Sequence, residues 1–142
     1  LQPNRDRMEE QVIHYCVAHG IPIIATCRGM QYINVMFGGK LWYHPKLPVT
    51  RTRGMDHQVW LVKEQRNIWV NNYHSDCIYE EGLAPCFEPL AIDRENHVVE
   101  AYGSDEMKIL ALQWHPERRF ETANAYEETR KIVLDFIQKH VK

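Results

Sequence analysis

The chain has 142 residues, of which 44% are hydrophobic and 25% charged, and its formal net charge is −2. This length suits one globular domain, and the near-neutral charge argues against a nucleic-acid binder, which usually carries a basic stripe. No apolar run approaches the roughly 20 residues that cross a bilayer, and the polar opening Leu1-Gln2-Pro3-Asn4 does not resemble a signal peptide. The four cysteines show no CxxC pair, which predicts reduced thiols and a cytoplasmic location.

The first predicted elements are a helix, a buried strand and a second helix. Apolar residues at helical spacing over residues 5–19 predict an amphipathic helix that ends at Gly20. The continuous apolar run 21–26 predicts a strand covered on both faces, as in parallel sheets. Residues 28–37 predict a second helix that ends at the glycine pair following it.

The rest of the chain predicts a loop, several short strands and a closing helix. Prolines and a glycine within residues 40–56 predict the loop, and the last helix is predicted over 123–140. Strands are predicted at 57–62, 68–70, 90–92, 98–102 and 109–114, the first two as a hairpin. This order of elements predicts an α/β fold in one domain.

Cys27 lies where the predicted apolar strand gives way to the second helix. Ligands bind at the carboxyl ends of strands in such sheets, and a thiol at a helix N-terminus is favoured as the thiolate. The backbone N–H of Arg28 would point at the same place and hold a developing oxyanion. A sharp turn here would leave no room for a side chain at Gly29. Taken alone, Cys27 is more often a buried structural cysteine than a nucleophile.

A histidine and a carboxylate follow the last predicted strand. His115 and Glu117 are separated by one proline, and alternate residues of an extended backbone face the same side. Pro116 restricts the backbone of His115, so the pair is held stiffly. A histidine oriented by a carboxylate can take a proton from a thiol and deliver it to a leaving group. Beside the Cys27 turn, this pattern favours a catalytic site over a surface turn.

The residues around these positions resemble a known family. Cys27-Arg28-Gly29-Met30-Gln31 resembles the nucleophile region of class I glutamine amidotransferase-like proteins, and Gln113-Trp114-His115-Pro116-Glu117 resembles their second motif. Two further segments are similar to the branch that contains the γ-glutamyl-γ-aminobutyrate hydrolases, peptidase family C26. They are Arg5-Asp6-Arg7-Met8-Glu9 and Val70-Asn71-Asn72-Tyr73-His74.

The resemblance implies a flavodoxin-like three-layer α/β sandwich, of which residues 1–142 form the C-terminal portion as a single domain. The N-terminal part of the sheet, with the glycine-rich loop that supplies a second oxyanion-hole N–H, is expected to be missing. The implied catalytic triad has Cys27 as nucleophile, His115 as acid and base, and Glu117 as its orienting partner. The glutamyl group would form a thioester on Cys27 that water then hydrolyses.

The resemblance also implies substrate-binding residues. Gln31 matches a position that helps to hold the glutamyl group, and Asn72, Tyr73 and His74 match a stretch beside the pocket. A loop histidine is an equally good interpretation of His74. The resemblance implies neither a metal nor an organic cofactor. A zinc site of His74 and Cys77 with His57 or His44 is disfavoured, because these residues lack recognisable ligand spacing.

The predicted function is a γ-glutamyl hydrolase that cleaves a small γ-glutamyl amide. The alternative is a glutaminase domain that acts on glutamine and delivers ammonia to a synthetase partner. A non-catalytic binding protein on the same fold is disfavoured, because all three catalytic residue types are present. The sequence leaves open the leaving group, a synthetase partner and a homo-oligomer, and predicts neither a nucleic-acid nor a membrane partner.

Overall fold

The computed structural model, which describes residues 3–43, 55–73 and 76–141, places helices on both faces of one mixed sheet. The helices of this part of the chain are α1 (Pro3–Ala18), α2 (Arg28–Met36) and α3 (Ala125–His140), with a short 3-10 helix at Glu80–Gly82. The strands are β1 (Ile23–Thr26), β2 (His57–Leu61), β3 (Arg66–Val70), β4 (Ile78–Tyr79), β5 (Glu88–Asp93), β6 (Val98–Ser104) and β7 (Ile109–Leu112).

The sheet combines one parallel pair with antiparallel neighbours. Its order is β1-β7-β6-β5-β2-β3, and β4 pairs with β6. β1 and β7 run parallel, with Ile23 opposite Ile109 and Thr26 opposite Leu112. The other pairings among the described strands are antiparallel, including the predicted hairpin of β2 and β3. The parallel character expected from the apolar runs is therefore confined to the strands that carry the two motifs.

β7 is buried on both faces and separates two apolar clusters. Ile109 and Ala111 belong to the cluster under α1 and α2, whereas Leu110 and Leu112 belong to the cluster under α3. Successive residues of a strand point to opposite faces, so this alternation shows that helices cover both sides of the sheet. The predicted three-layer α/β arrangement is confirmed.

The strand predicted within residues 21–26 is confirmed at Ile23–Thr26, but the prediction that it is covered on both faces is wrong. β1 begins at Ile23, and Ile24 is 40% exposed. The predicted apolar stripe of the first helix is likewise largely exposed, since Met8, Val12 and Tyr15 are 67%, 56% and 59% exposed. Within the described residues β1 is the outer strand, so its far side and the neighbouring face of α1 lack a packing partner there. None of the described helices has the length and apolarity needed to cross a bilayer.

Candidate active site

Cys27 occupies a strained turn between β1 and α2. Its backbone angles, φ 49° and ψ −107°, are rarely adopted by residues with a side chain. The N–H of Cys27 donates to the carbonyl of Leu112 at 2.8 Å, and its carbonyl accepts from the N–H of Gln31 at 3.1 Å. The turn is thus anchored both to the end of β7 and to the first turn of α2. The thiol lies at the helix N-terminus, the place that the sequence predicts.

The prediction about Gly29 is wrong, because a side chain has room there. A Cβ atom at Gly29 would lie 3.5 Å from the Cβ of Ala25, an ordinary contact, and its φ is not positive. The strained backbone conformation belongs to Cys27 itself. At Gly39, by contrast, a Cβ atom would overlap the fully buried side chain of Asn34.

His115 is held by its side chain and by its backbone. Nδ1 lies 2.9 Å from Oε2 of Glu117, which leaves Nε2 to face the opposite way. The backbone N–H of His115 donates to Oδ1 of Asn71 at 2.9 Å, and Nδ2 of Asn71 donates to the carbonyl of His115 at 2.8 Å. The sequence places Asn71 in the Val70-Asn71-Asn72-Tyr73-His74 stretch but predicts no role for it. Its sequence signal is an asparagine directly after a strand, and the structure shows that its side chain is buried.

The Glu117 carboxylate is adapted to orient a histidine. Burial by itself would raise the pKa of Glu117, but hydrogen bonds from its own backbone N–H and from His115 outweigh it. Together with the charges of His115 and Arg118, they hold the pKa below its ordinary value. Glu117 is therefore ionised at neutral pH.

The predicted substrate-binding residues fall at different depths. Asn72 is buried, and the ring of Tyr73 meets that of His115 edge to face with centroids 5.9 Å apart. The guanidinium of Arg118 lies over the Tyr73 ring at 4.8 Å. The structure thus brings Tyr73 against the histidine of the predicted triad. His74 lies outside the described residues.

A chain of side-chain amides leads to the sulfur. Nε2 of Gln31 donates to the Asp76 carbonyl and to Oε1 of Gln113, both at 3.2 Å. Nε2 of Gln113 in turn lies 3.8 Å from Sγ of Cys27, within hydrogen-bonding range for sulfur. Sequence reasoning assigned no role to Gln113. Its sequence signal is a polar residue directly after an apolar strand, and the structure shows that this residue is fully buried.

The side chain of Arg28 connects the Cys27 turn to α1 through hydrogen bonds. Nη1 of Arg28 donates to both carboxylate oxygens of Glu9, at 2.9 and 2.8 Å, and Nη2 donates to Asp6. Burial alone would lower the pKa of Arg28, but the bonds and charges of Glu9 and Asp6 raise it above its ordinary value. Asp6 and Glu9 of the Arg5-Asp6-Arg7-Met8-Glu9 segment therefore hold the side chain of Arg28. The backbone N–H of Arg28 is the predicted oxyanion donor.

Cys27 and His115 share one open groove. Cys27, Arg28 and His115 line a cavity of about 530 Å³ that runs along β1 and α1. An apolar cavity of about 230 Å³ lies between α3 and the sheet, and neither Cys27 nor His115 lines it. Within residues 3–43, 55–73 and 76–141, no three His, Cys, Asp or Glu side chains are grouped to hold a metal ion.

Comparison with known proteins identifies the family. The family model of peptidase C26 matches residues 1–117. The chain is 29% identical over 140 residues to the γ-glutamyl-γ-aminobutyrate hydrolase PuuD of Escherichia coli, covering 81% of this chain and 53% of PuuD. It is 30% identical over 118 residues to the γ-glutamyl-CDP-amidate hydrolase of Campylobacter jejuni, covering 83% of this chain and 54% of that protein. The chain therefore spans about half the length of these curated relatives.

A solved structure shares the fold. The glutamine amidotransferase of Thermotoga maritima superposes with a TM-score of 0.63 at 17% sequence identity, covering 94% of this chain and 55% of that one. At this level of identity the likeness establishes the fold. The predicted class I glutamine amidotransferase-like architecture is confirmed.

Proposed function

The chain belongs to the peptidase C26 family, and we propose that its protein hydrolyses a small γ-glutamyl amide through a thioester on Cys27. The observation that carries the proposal is the strained Cys27 turn, which shares a groove with a histidine bonded to a carboxylate. A buried structural cysteine would need neither the backbone strain nor the exposed groove. Strain of this kind is concentrated at functional sites.

The proposed reaction uses the groups in a fixed order. Nε2 of His115 takes the proton of the Cys27 thiol, and the sulfur attacks the γ-carbonyl carbon of the substrate. The carbonyl oxygen becomes an oxyanion that accepts a hydrogen bond from the backbone N–H of Arg28. The C–N bond then breaks, and the departing amine takes the proton that His115 carries.

Hydrolysis of the thioester returns the enzyme to its starting state. His115 removes a proton from a water molecule, and the hydroxide attacks the thioester carbon. The carbon–sulfur bond breaks, the proton returns to the sulfur, and glutamate leaves. Glu117 keeps the imidazole in one orientation during both halves and stabilises its charged form. Gln31, Asn72, Tyr73 and His74 are proposed to hold the glutamyl half of the substrate.

The names of the relatives support the glutamyl half better than the amine half. PuuD and the Campylobacter jejuni protein are both named for γ-glutamyl amides, but one leaving group is γ-aminobutyrate and the other is a nucleotide amidate. The proposal therefore fixes a γ-glutamyl acyl group and leaves the amine to experiment.

A glutaminase that supplies ammonia to a synthetase is the second candidate. The Thermotoga maritima structure that shares the fold is itself described as a glutamine amidotransferase. The two candidates share the chemistry at Cys27 and differ in what receives the nitrogen.

Trapping the acyl-enzyme tests the proposal. The full-length protein is incubated with γ-glutamyl-γ-aminobutyrate, a γ-glutamyl nucleotide amidate or glutamine, quenched in acid and examined by peptide mass spectrometry. We expect one glutamyl group on the peptide that contains Cys27, none in Cys27→Ala, and an unchanged amount in the matched control Cys86→Ala. Absence of adduct and turnover with every substrate would refute the hydrolase. Turnover of glutamine alone, raised by a synthetase, would favour the second candidate.

A further inference from the structure

The buried amide chain ends at the reacting sulfur, and we propose that Gln113 donates a hydrogen bond that stabilises Cys27 as the thiolate. In this proposal Gln31 is a positioning residue that sets the orientation of Gln113. The inference rests on the proposed role of Cys27 as nucleophile. It adds a donor that is independent of the helix N-terminus and of His115.

The direction of the amide chain follows from its far end. The backbone carbonyl of Asp76 can only accept a hydrogen bond, so the group of Gln31 that faces it must be the NH₂. The same NH₂ has a second proton, which it donates to Gln113, so Gln113 must present its oxygen there. The NH₂ of Gln113 is thereby directed at the sulfur of Cys27. A reversed amide would place two acceptors or two donors against each other.

Burial makes this donor specific. Gln113 is fully buried and Gln31 is 7% exposed, so water does not compete strongly for their polar groups. An amide buried without partners costs free energy, and here each amide has a partner within the chain. The backbone of Gln113 is also fixed, because its N–H donates to the carbonyl of Glu100 at 2.8 Å. The donor therefore has little freedom to turn away from the thiol.

The two residues that act on the sulfur come from one segment. Gln113 and His115 lie two positions apart, at the bend that follows β7. Trp114 between them is anchored on α3, where its Nε1 donates to Oγ1 of Thr129 at 3.1 Å. Because the Trp114 side chain is fully buried, this anchor fixes the backbone from which both neighbouring side chains extend. His115 is suited to remove the thiol proton. The amide of Gln113 cannot accept that proton and instead stabilises the thiolate by donating a hydrogen bond to it.

The energetic consequence depends on the charge state of the sulfur. A neutral thiol is a weak acceptor, whereas a thiolate forms a charge-assisted bond that is about twice as strong. A donor that gains strength when the proton leaves favours the ionised form. Because the N···S distance is 3.8 Å, we expect a contribution at the low end of charged hydrogen bonds. Loss of the donor should lower the rate of Cys27 alkylation at neutral pH by roughly threefold to tenfold.

The experiment measures alkylation of each cysteine as a function of pH, without substrate. The full-length protein reacts with iodoacetamide, and peptide mass spectrometry gives a separate rate for Cys27, Cys77 and Cys86. Exposed Cys86 reports the reagent, and buried Cys77 reports folding because it should stay unmodified. In Gln113→Met we expect the Cys27 rate at neutral pH to fall by the stated factor and its half-maximal pH to rise.

Two further variants decide between a local and a general effect. Gln31→Met should shift the Cys27 profile in the same direction by a smaller amount, because Gln113 keeps its donor but loses its orientation. Asn34→Ala is the matched control, since Asn34 is a buried amide on the same helix that bonds to the Gly82 and Lys40 carbonyls instead. Its Cys27 profile should equal that of the wild type.

An unchanged Cys27 profile in folded Gln113→Met would overturn the proposal, and so would an equal shift in Asn34→Ala. If Gln113→Met exposes Cys77 and is therefore unfolded, Gln31→Met decides by the same criterion. The result is separable from the proposed hydrolase. Failure to form a glutamyl adduct would refute that activity, whereas the alkylation difference between variants would still test the donor.

Discussion

The ion pair between Glu9 and Arg28 should be worth more than a surface salt bridge. Because Glu9 also accepts a hydrogen bond from Arg5 at 3.0 Å, Glu9→Ala tests this strength within a double-mutant cycle. Nη1 of Arg28 lies 2.9 and 2.8 Å from the two oxygens of Glu9, and the side chains are 32% and 29% exposed. One nitrogen serves both oxygens, so the contact counts as one charge-assisted bond. Exposed pairs contribute about 0–1 kcal/mol, whereas breaking a buried pair costs about 3–5 kcal/mol.

Partial burial places this pair between those limits, and we expect Glu9→Ala to lower the free energy of unfolding by about 1–2 kcal/mol. For a domain of this size, such a loss lowers the melting temperature by about 3–7 °C. Arg28 keeps Asp6 as a partner, which limits the loss. Activity should also fall, since the pair positions the residue whose N–H is the proposed oxyanion donor.

The assay is urea unfolding followed by circular dichroism, with a double-mutant cycle of Glu9→Ala and Arg28→Ala. Glu10→Ala is the matched control on the same helix, because the Glu10 carboxylate lies 3.6 Å from the exposed His14. The control should lose less than about 0.5 kcal/mol. Two results would refute the predicted strength of this ion pair. One is a loss of unfolding free energy in Glu9→Ala no larger than that in Glu10→Ala, and the other is a coupling energy near zero between Glu9 and Arg28.

Three further predictions concern the turn, the carboxylate and the buried asparagine. Gly29→Ala should stabilise the fold by about 0.4–1 kcal/mol, whereas Gly39→Ala, whose Cβ would meet a side chain at 2.3 Å, should lower the melting temperature. Because the folded pKa of Glu117 is lowered, its contribution to stability is complete above the unfolded pKa and is lost as the pH falls through the folded value. The difference in unfolding free energy between wild type and Glu117→Gln, measured with urea, should therefore be smaller in acid than at neutral pH. An equal difference under the two conditions would contradict this sign. Asn71→Ala should cost about 1–3 kcal/mol and lower kcat more than it changes KM, because it frees the backbone of His115; steady-state kinetics with unchanged kcat would exclude that role.

Local sequence signals located the elements that carry the candidate site. The apolar run before Cys27 and the helical pattern after it placed the turn at its observed position. Proline between His115 and Glu117 predicted a stiff pair, and Nδ1 of His115 indeed lies 2.9 Å from the carboxylate. These signals span only a few neighbouring residues. Their physical causes, steric limits and alternation of side chains, act over the same short range.

The supporting contacts could not be predicted, because they join distant parts of the chain. Asn71 bonds to His115 across 44 positions, and Arg28 bonds to Glu9 across 19. Nothing in either local pattern specifies its partner; the packing of strands and helices does. Apolar patterning also misled where a neighbour is lacking: Met8 and Val12 have the spacing of a buried stripe but lie exposed among the described residues.

Strand register joins the two motifs into one site. Cys27 and Gln113 lie 86 positions apart, yet β1 and β7 pair with Thr26 opposite Leu112, the residues just before them. The bond from the Cys27 N–H to the Leu112 carbonyl extends this pairing by one residue, to Cys27 itself. A slip of one position would turn Gln113 and His115 to the other face of the sheet. The apolar side chains of β7, packed on both faces, therefore fix the register on which the proposed chemistry depends.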